Sequence, residues 1–289
     1  MNNFKNSILI IVFNYSNSLQ NKDKLINIYK NYFKDIIVYS DYPVAKDTND
    51  VNYVNIERGF YVHRIFEHFY SNYKEKIAEI DGLFYTMDDN IINLNILNMY
   101  DSTKIIYKYS QNHPLDTYKG WWWDKTSGKN AIYNLEKDSV YQGFGINTYS
   151  GAFADYFYLP KKYLSEKTFD LFQLFANYNV FLELAIPTII RHIEPNEMNY
   201  NNYTEVILWD ANDRKKLEKL TFIKKTFNTE FNLFTHPIKF NSNPRALDWL
   251  SDIFQKKKCV IITTINPTTE TIKKHMNNTE YDVIIVGDK

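Results

Sequence analysis

Gly82-Leu83-Phe84-Tyr85-Thr86-Met87-Asp88-Asp89-Asn90-Ile91-Ile92 is the stretch whose reading decides the fold. Leu83, Phe84 and Tyr85 are strand formers, and an apolar run of this length after a helix-like segment suits an internal strand of an α/β sheet. Asp88 and Asp89 fall where that strand ends. In open α/β sheets ligands bind outside the carboxyl ends of the strands. Carboxylates in that place hold a hard cation or contact a ribose or sugar hydroxyl. The alternative is a turn whose Asp and Asn side chains bond their own backbone. The flanking sequence favours a site.

Upstream, Ser7 to Phe13 is a β-branched strand followed by the polar loop Asn14-Tyr15-Ser16-Asn17. Asp23 to Phe33 carries apolar residues at helical spacing. Asp35 to Ser40 is a second strand leading into Asp41-Tyr42-Pro43, Val51 to Ile56 a third, and a helix is expected from Gly59 to Tyr73. Strands alternating with helices in this way describe βαβ units. The expected fold is therefore α/β, with a mainly parallel central sheet flanked by helices. The first strand-to-helix loop has no glycine, so a dinucleotide fingerprint is absent, as is a P-loop.

Downstream, Ile105 to Tyr109 reads as another strand and leads to Gly120-Trp121-Trp122-Trp123-Asp124. Three consecutive tryptophans cannot all face one core. Either one of them forms a platform for a sugar or base, or they plug the gap between sheet and helix. In Tyr149-Ser150-Gly151-Ala152-Phe153-Ala154-Asp155, small residues permit close backbone approach and an acid follows them. Lys161 to Phe175 is read as helix. Glu183 lies inside the apolar run Asn179 to Pro187, where a carboxylate must be paired, hydrogen-bonded or held for use. Arg191-His192 offers a diphosphate or metal contact, or a satisfied core or surface pair.

The division expected is a domain over 1–240, a linker over 241–257 beginning at the turn-rich Asn241 to Pro244, and a β-α-β segment over 258–289. That segment either adds strands to the first domain or, the reading favoured here, is the start of a second, truncated domain.

Composition narrows the function. The chain has 289 residues, 44% hydrophobic and 24% charged, with no formal net charge, which argues against a nucleic-acid partner. A single cysteine, Cys259, removes any Cys-rich metal site. Ile8 to Phe13 is too short for a signal peptide or a membrane span, so no anchor and a cytoplasmic location are expected. The 24 tyrosines and 20 phenylalanines are read mostly as core and codon usage.

Strand-end Asp88-Asp89-Asn90, Trp121-Trp122-Trp123-Asp124, Ser150-Gly151-Ala152 through Asp155 to Pro160, and Leu182-Glu183-Leu184-Ala185-Ile186-Pro187 stand in one order along the chain. That ordered set resembles STELLO-like glycosyltransferase-related proteins. Thr263-Thr264-Ile265-Asn266-Pro267 with Val286-Gly287-Asp288-Lys289 is similar to the family's other signature. The resemblance implies a GT-A-type fold, a nucleotide-sugar donor (UDP is the expected carrier), a glycan or other hydroxyl acceptor, and Mn²⁺ or Mg²⁺.

On that footing Asp88 and Asp89 are the expected metal ligands, with His192 as a late one and Asp88 also turned toward ribose. Asn14 and Asp41 are expected to dock nucleobase and ribose, Arg64 to face the donor, and Trp122 and Trp123 to stack on it. Glu183 or Asp155 is the candidate base. Asn90 stands where an Asp-x-Asp motif has its second acid. A non-catalytic sugar- or nucleotide-binding module, or an assembly module, therefore stays open beside the enzyme. A sugar nucleotidylyltransferase would need a Gly-rich N-terminal loop that this sequence lacks.

Overall fold

A computed structural model describes residues 2–14, 18–43, 50–108, 126–208, 210–228, 232–255, 258–264, 270 and 281–287. The central sheet has five strands: β1 (Ser7–Phe13), β2 (Asp35–Ser40), β3 (Asn52–Tyr53), β4 (Gly82–Met87) and β6 (Tyr156–Pro160). Their spatial order is β3-β2-β1-β4-β6. The first four run parallel, while β6 runs antiparallel to β4 with Phe84 opposite Tyr158. The sheet is thus mixed at one edge and not simply parallel.

β1 and β4 lie at its centre and are buried along their whole length. Parallel strands covered on both faces read as continuous apolar runs, which is how they stood in the sequence. Alternate residues feed two cores. Ile8, Ile10, Val12, Leu83, Tyr85 and Met87 face one side, and Leu9, Ile11, Phe13 and Phe84 the other.

The first side is covered by α2 (Arg64–Ala78), α6 (Glu166–Asn177) and α7 (Leu182–Ile193), to which α4 (Thr126–Leu135) and α5 (Ser139–Phe144) add buried residues. The second is covered by α1 (Lys22–Tyr29), the short α3 (Leu94–Leu97), α9 (Leu220–Phe227), which α8 (Ala211–Arg214) precedes, and α10 (Pro244–Gln255). A smaller sheet, ordered β5-β8-β7, joins this side. It is built from β5 (Ile91–Ile92), β7 (Thr204–Ile207) and β8 (Asn232–His236).

The expected linker contains α10 instead. Ala246, Leu247, Leu250 and Phe254 recur at helical spacing and are buried in the second core. Full burial of one such large side chain contributes roughly 1.5–3 kcal/mol, so the segment is part of the fold's body. Ile105 and Ile106 make isolated bridges to Tyr200 and Tyr158 where a strand was expected. Beyond α10, β9 (Lys258–Thr264) pairs in parallel with β10 (Tyr281–Gly287), as a β-α-β segment requires.

Candidate metal centre at the carboxyl edge of the sheet

β4 delivers the acids. Asp88 and Asp89 follow Met87 directly, and the Asp88 N–H donates to Val12 O of β1 at 2.9 Å, which continues the ladder past the strand end. Both carboxylates are buried, at 6% and 5% exposure. Ile238 N–H donates to Asp89 O at 2.7 Å, so the segment after β8 is tied to the same corner.

Asp155 arrives from the other side through a device centred on Pro187. Proline within a helix leaves the carbonyl four residues back without its amide, and here that carbonyl belongs to Glu183. Ala152 N–H donates to Glu183 O at 3.1 Å, while Ser150 N–H donates to Thr188 Oγ1 at 3.0 Å. These bonds fasten the Ser150-to-Asp155 segment along α7. Met87 N–H then donates to Asp155 O at 2.9 Å, which sets Asp155 beside the end of β4.

His236, the last residue of β8, completes the group. Its Nε2 lies 3.2 Å from Asp155 Oδ2 and 3.4 Å from Asp89 Oδ1. Ligand atoms of Asp89, Asp155 and His236 all fall within 4.8 Å of one another, so the three could hold a metal ion. Neighbouring ligands of a six-coordinate cation with bonds of about 2.1 Å stand roughly 3 Å apart, close to the separations seen. One imidazole with two carboxylates is a donor set compatible with a divalent cation.

Five polar atoms near this corner are buried without a hydrogen-bond partner among the described residues: Tyr85 OH, Asn14 Oδ1, Asp88 Oδ1, Asn90 Oδ1 and His236 Nδ1. Native interiors satisfy nearly all such groups, so a concentration of them marks a place where an ion, water or ligand belongs.

The electrostatics pair these groups with one another, so a bound cation would have to displace the His236 proton. Burial raises the Asp89 carboxyl, but the charges of His236 and Lys239 outweigh it and hold Asp89 well below the usual carboxylate range. Lys239 Nζ sits directly on Asp89 Oδ2. Burial lowers the His236 imidazole, and Asp89 and Asp155 more than reverse this, bringing it up to about 9. Burial, with the Asp89 charge alongside, pushes Asp88 up to about 7 against hydrogen bonds from Ser18 and the Asn14 backbone. Asp88 and Asp89 open onto a cavity of about 240 Å³ that Ser18, Asn21, Lys239 and Ser242 also line.

Asn14, Asp88, Asp89 and Asp155 therefore meet at one edge of the sheet. Glu183 is buried in the first turn of α7, where its charge acts on Tyr107.

Three expected residues are engaged in other contacts. Asp41 Oδ2 accepts the Arg58 N–H at 2.7 Å, holding a turn in which Glu57, Arg58 and Gly59 all have positive φ. Arg64 donates to Asn55 O, Glu57 Oε1 and Asn179 Oδ1, bracing that turn against the end of α6. His192 lies near the end of α7, where it meets the Phe144 ring and lines a separate pocket with Lys162 and Lys167. It is not among the converging ligand atoms. Trp122 and Trp123 lie outside the described residues.

His236 and Lys239 were missed from sequence. The signal was a histidine closing the run Asn232-Leu233-Phe234-Thr235-His236, the same strand-end position that singled out Asp88 and Asp89.

No protein-family model and no curated protein matches this sequence.

Proposed function

We propose that the protein is a metal-dependent glycosyltransferase of GT-A type that moves a sugar from a nucleotide-diphosphate donor, UDP being the expected carrier, to a glycan or other hydroxyl acceptor. The observation that carries this is the meeting of Asp89, Asp155 and His236 at the carboxyl edge of a β3-β2-β1-β4-β6 sheet, beside a cavity. The order of motifs resembling STELLO-like proteins supports the same reading.

A divalent cation held by the three residues would supply positive charge to the departing diphosphate. The chain's own groups account for the rest. Asp88 and Asn14 offer acceptor oxygens that have no partner among the described residues to hydroxyl or amide donors of the nucleotide. Lys239 places an ammonium in the same cavity, where it can meet phosphate oxygen. With Asp155 drawn into the cation group, Glu183 is the base assigned to the acceptor hydroxyl. Its carboxylate takes the proton as the new carbon–oxygen bond forms and the bond to the diphosphate oxygen breaks. A single displacement of this kind inverts the anomeric carbon.

A second reading, a non-catalytic nucleotide- or sugar-binding module, draws on one observation. Lys239 and His236 already neutralise Asp89 without a metal. UDP-sugar hydrolysis with added Mn²⁺ separates the two. Turnover that depends on Mn²⁺ and disappears in Asp89→Ala supports the enzyme, and binding of UDP with no turnover of any donor supports the module.

A further inference from the structure

Two of the three residues of the cation group ride on regular elements: Asp89 lies just past β4, and His236 closes β8. Asp155 does not. It ends an irregular stretch, 150–155, that belongs to no helix or strand before β6 begins at Tyr156. An irregular segment holds a ligand less accurately than a helix or strand does, unless neighbouring groups pin it.

The pins can be named. The Met87 N–H fixes the Asp155 carbonyl, and the Tyr107 hydroxyl donates to Phe153 O at 2.8 Å. The pins further upstream depend on two adjacent residues of α7. A threonine inside a helix ordinarily bonds its hydroxyl to a carbonyl one turn back. Thr188 sends its hydroxyl across to the stretch: Oγ1 accepts the Ser150 N–H at 3.0 Å and donates to Ser150 O at 3.3 Å. One side-chain oxygen thus meets both main-chain groups of a fully buried residue. Pro187 acts through what it lacks. An amide at that position would return to Glu183 O, and the proline ring crowds that carbonyl instead. Glu183 O accepts the Ala152 N–H at 3.1 Å. A proline inside a helix is locally unfavourable, and in α7 it turns a helical carbonyl into an acceptor for the stretch that carries Asp155. Local rules are broken in this way where a site depends on the result.

We propose that Thr188 and Pro187 are positioning residues for the cation group: neither belongs to it, and together they set the course of the chain into Asp155 and so where its carboxylate meets Asp89 and His236. The Met87 bond holds only the Asp155 carbonyl, so the direction of the side chain depends on the path by which the chain arrives. This role rests on the cation group described above and not on the transfer of a sugar.

The test is Mn²⁺ binding in the absence of nucleotide, by calorimetric titration and by the electron paramagnetic resonance spectrum of the bound ion. The variants are Thr188→Val, Thr188→Ser and Pro187→Ala, each measured at a temperature where circular dichroism shows it to be folded. Thr188→Val keeps the shape and removes both bonds to Ser150. Pro187→Ala supplies an N–H that competes with that of Ala152 for Glu183 O. Each should weaken Mn²⁺ severalfold and alter the spectrum, short of the roughly 10–100-fold that partners touching the ligands themselves are worth. Thr188→Ser keeps the hydroxyl and should bind as the wild type does. Unchanged affinity in Thr188→Val, or an equal loss in Thr188→Ser, would overturn the proposal. If Thr188→Val does not fold, wild-type affinity in Pro187→Ala overturns it. A wild type that binds no Mn²⁺ removes this role together with the cation group. Weakened Mn²⁺ binding in the variants, with no turnover of any UDP-sugar by the wild type, sinks the transferase and leaves the positioning role standing. Mn²⁺-dependent turnover with every variant binding as the wild type does the reverse.

Discussion

The Lys239 ammonium rests on Oδ2 of Asp89, so the acid best placed to grip a cation is already held by one the chain carries. Asp89 is almost wholly buried there, whereas the Lys239 side chain is 43% exposed. A bound divalent ion has to share Asp89 with this ammonium or displace it. Lys239→Gln should therefore bind Mn²⁺ more tightly than the wild type. Solvent screening keeps the competing pair to roughly 1 kcal/mol or less, so the gain should be a few-fold, about fivefold at most. Calorimetric titration of the metal-free protein measures it. If the variant instead binds Mn²⁺ more weakly, Lys239 organises the site and does not compete for it.

Removing a ligand should act in the opposite direction and more strongly. Asp89→Ala, Asp155→Asn and His236→Gln should each lower Mn²⁺ affinity by more than the roughly 10–100-fold typical of losing an outer-sphere partner. His192→Gln should leave it unchanged, since His192 packs against Phe144 away from the group. Manganese electron paramagnetic resonance on the four variants would rank them. Equal affinity across the set would remove the metal centre.

The difference between Asp89 and His236 shows how much of this site was legible in the sequence. Asp88 and Asp89 could be found because a buried central strand is one unbroken apolar run, and its end is marked where polarity returns. His236 also ends a strand, but β8 belongs to the small sheet, and its position depends on pairing with β5 and β7 from distant parts of the chain. No local pattern encodes that pairing. The direction of β6 was hidden for the same reason, since an apolar segment reads alike in a parallel and an antiparallel ladder. At Asn243-Pro244 the signal was present but ambiguous. Asn before Pro marks a turn, and Pro at the first position equally opens a helix, as it does in α10. Asp41 stands at a strand end and Arg64 on the helix before β4, as read from the sequence, yet the strained turn at Glu57 to Gly59 uses them both.

His63 sets a pH dependence of stability. It lies fully buried just before α2, beside the Phe175 backbone, and burial lowers its imidazole to about 3. The unfolded chain takes up a proton near the ordinary histidine value of about 6.5, while the folded protein does not. The stabilising contribution is therefore complete above about pH 6.5 and is lost progressively as pH falls toward 3. Between pH 7 and pH 5 this one residue should cost on the order of 2 kcal/mol. Urea denaturation of His63→Leu at the two pH values should show a correspondingly smaller drop than the wild type. Parallel losses in both proteins would mean that His63 is neutral in the unfolded chain as well, or charged in the folded one.

Gly82 opens the strand on which the site depends. A Cβ built there would lie 2.2 Å from the Tyr158 hydroxyl oxygen and 2.4 Å from its ring carbons. Tyr158 is fully buried, packs edge-on to Phe4 at 5.0 Å, and donates to Ser102 O at 2.9 Å, so the ring has nowhere to retreat. Overpacking of this kind costs typically 1–3 kcal/mol. Gly82→Ala should therefore lower the unfolding free energy by that amount, and Gly82→Ala with Tyr158→Phe should recover part of it, because the closest clash is with the hydroxyl. Because Met87, Asp88 and Asp89 lie at the other end of β4, the single variant should keep its Mn²⁺ affinity while losing stability. A thermal-shift series with and without Mn²⁺ reads both. A loss of metal response larger than the loss of stability would mean that the strand shifts as a rigid unit and takes the acids with it.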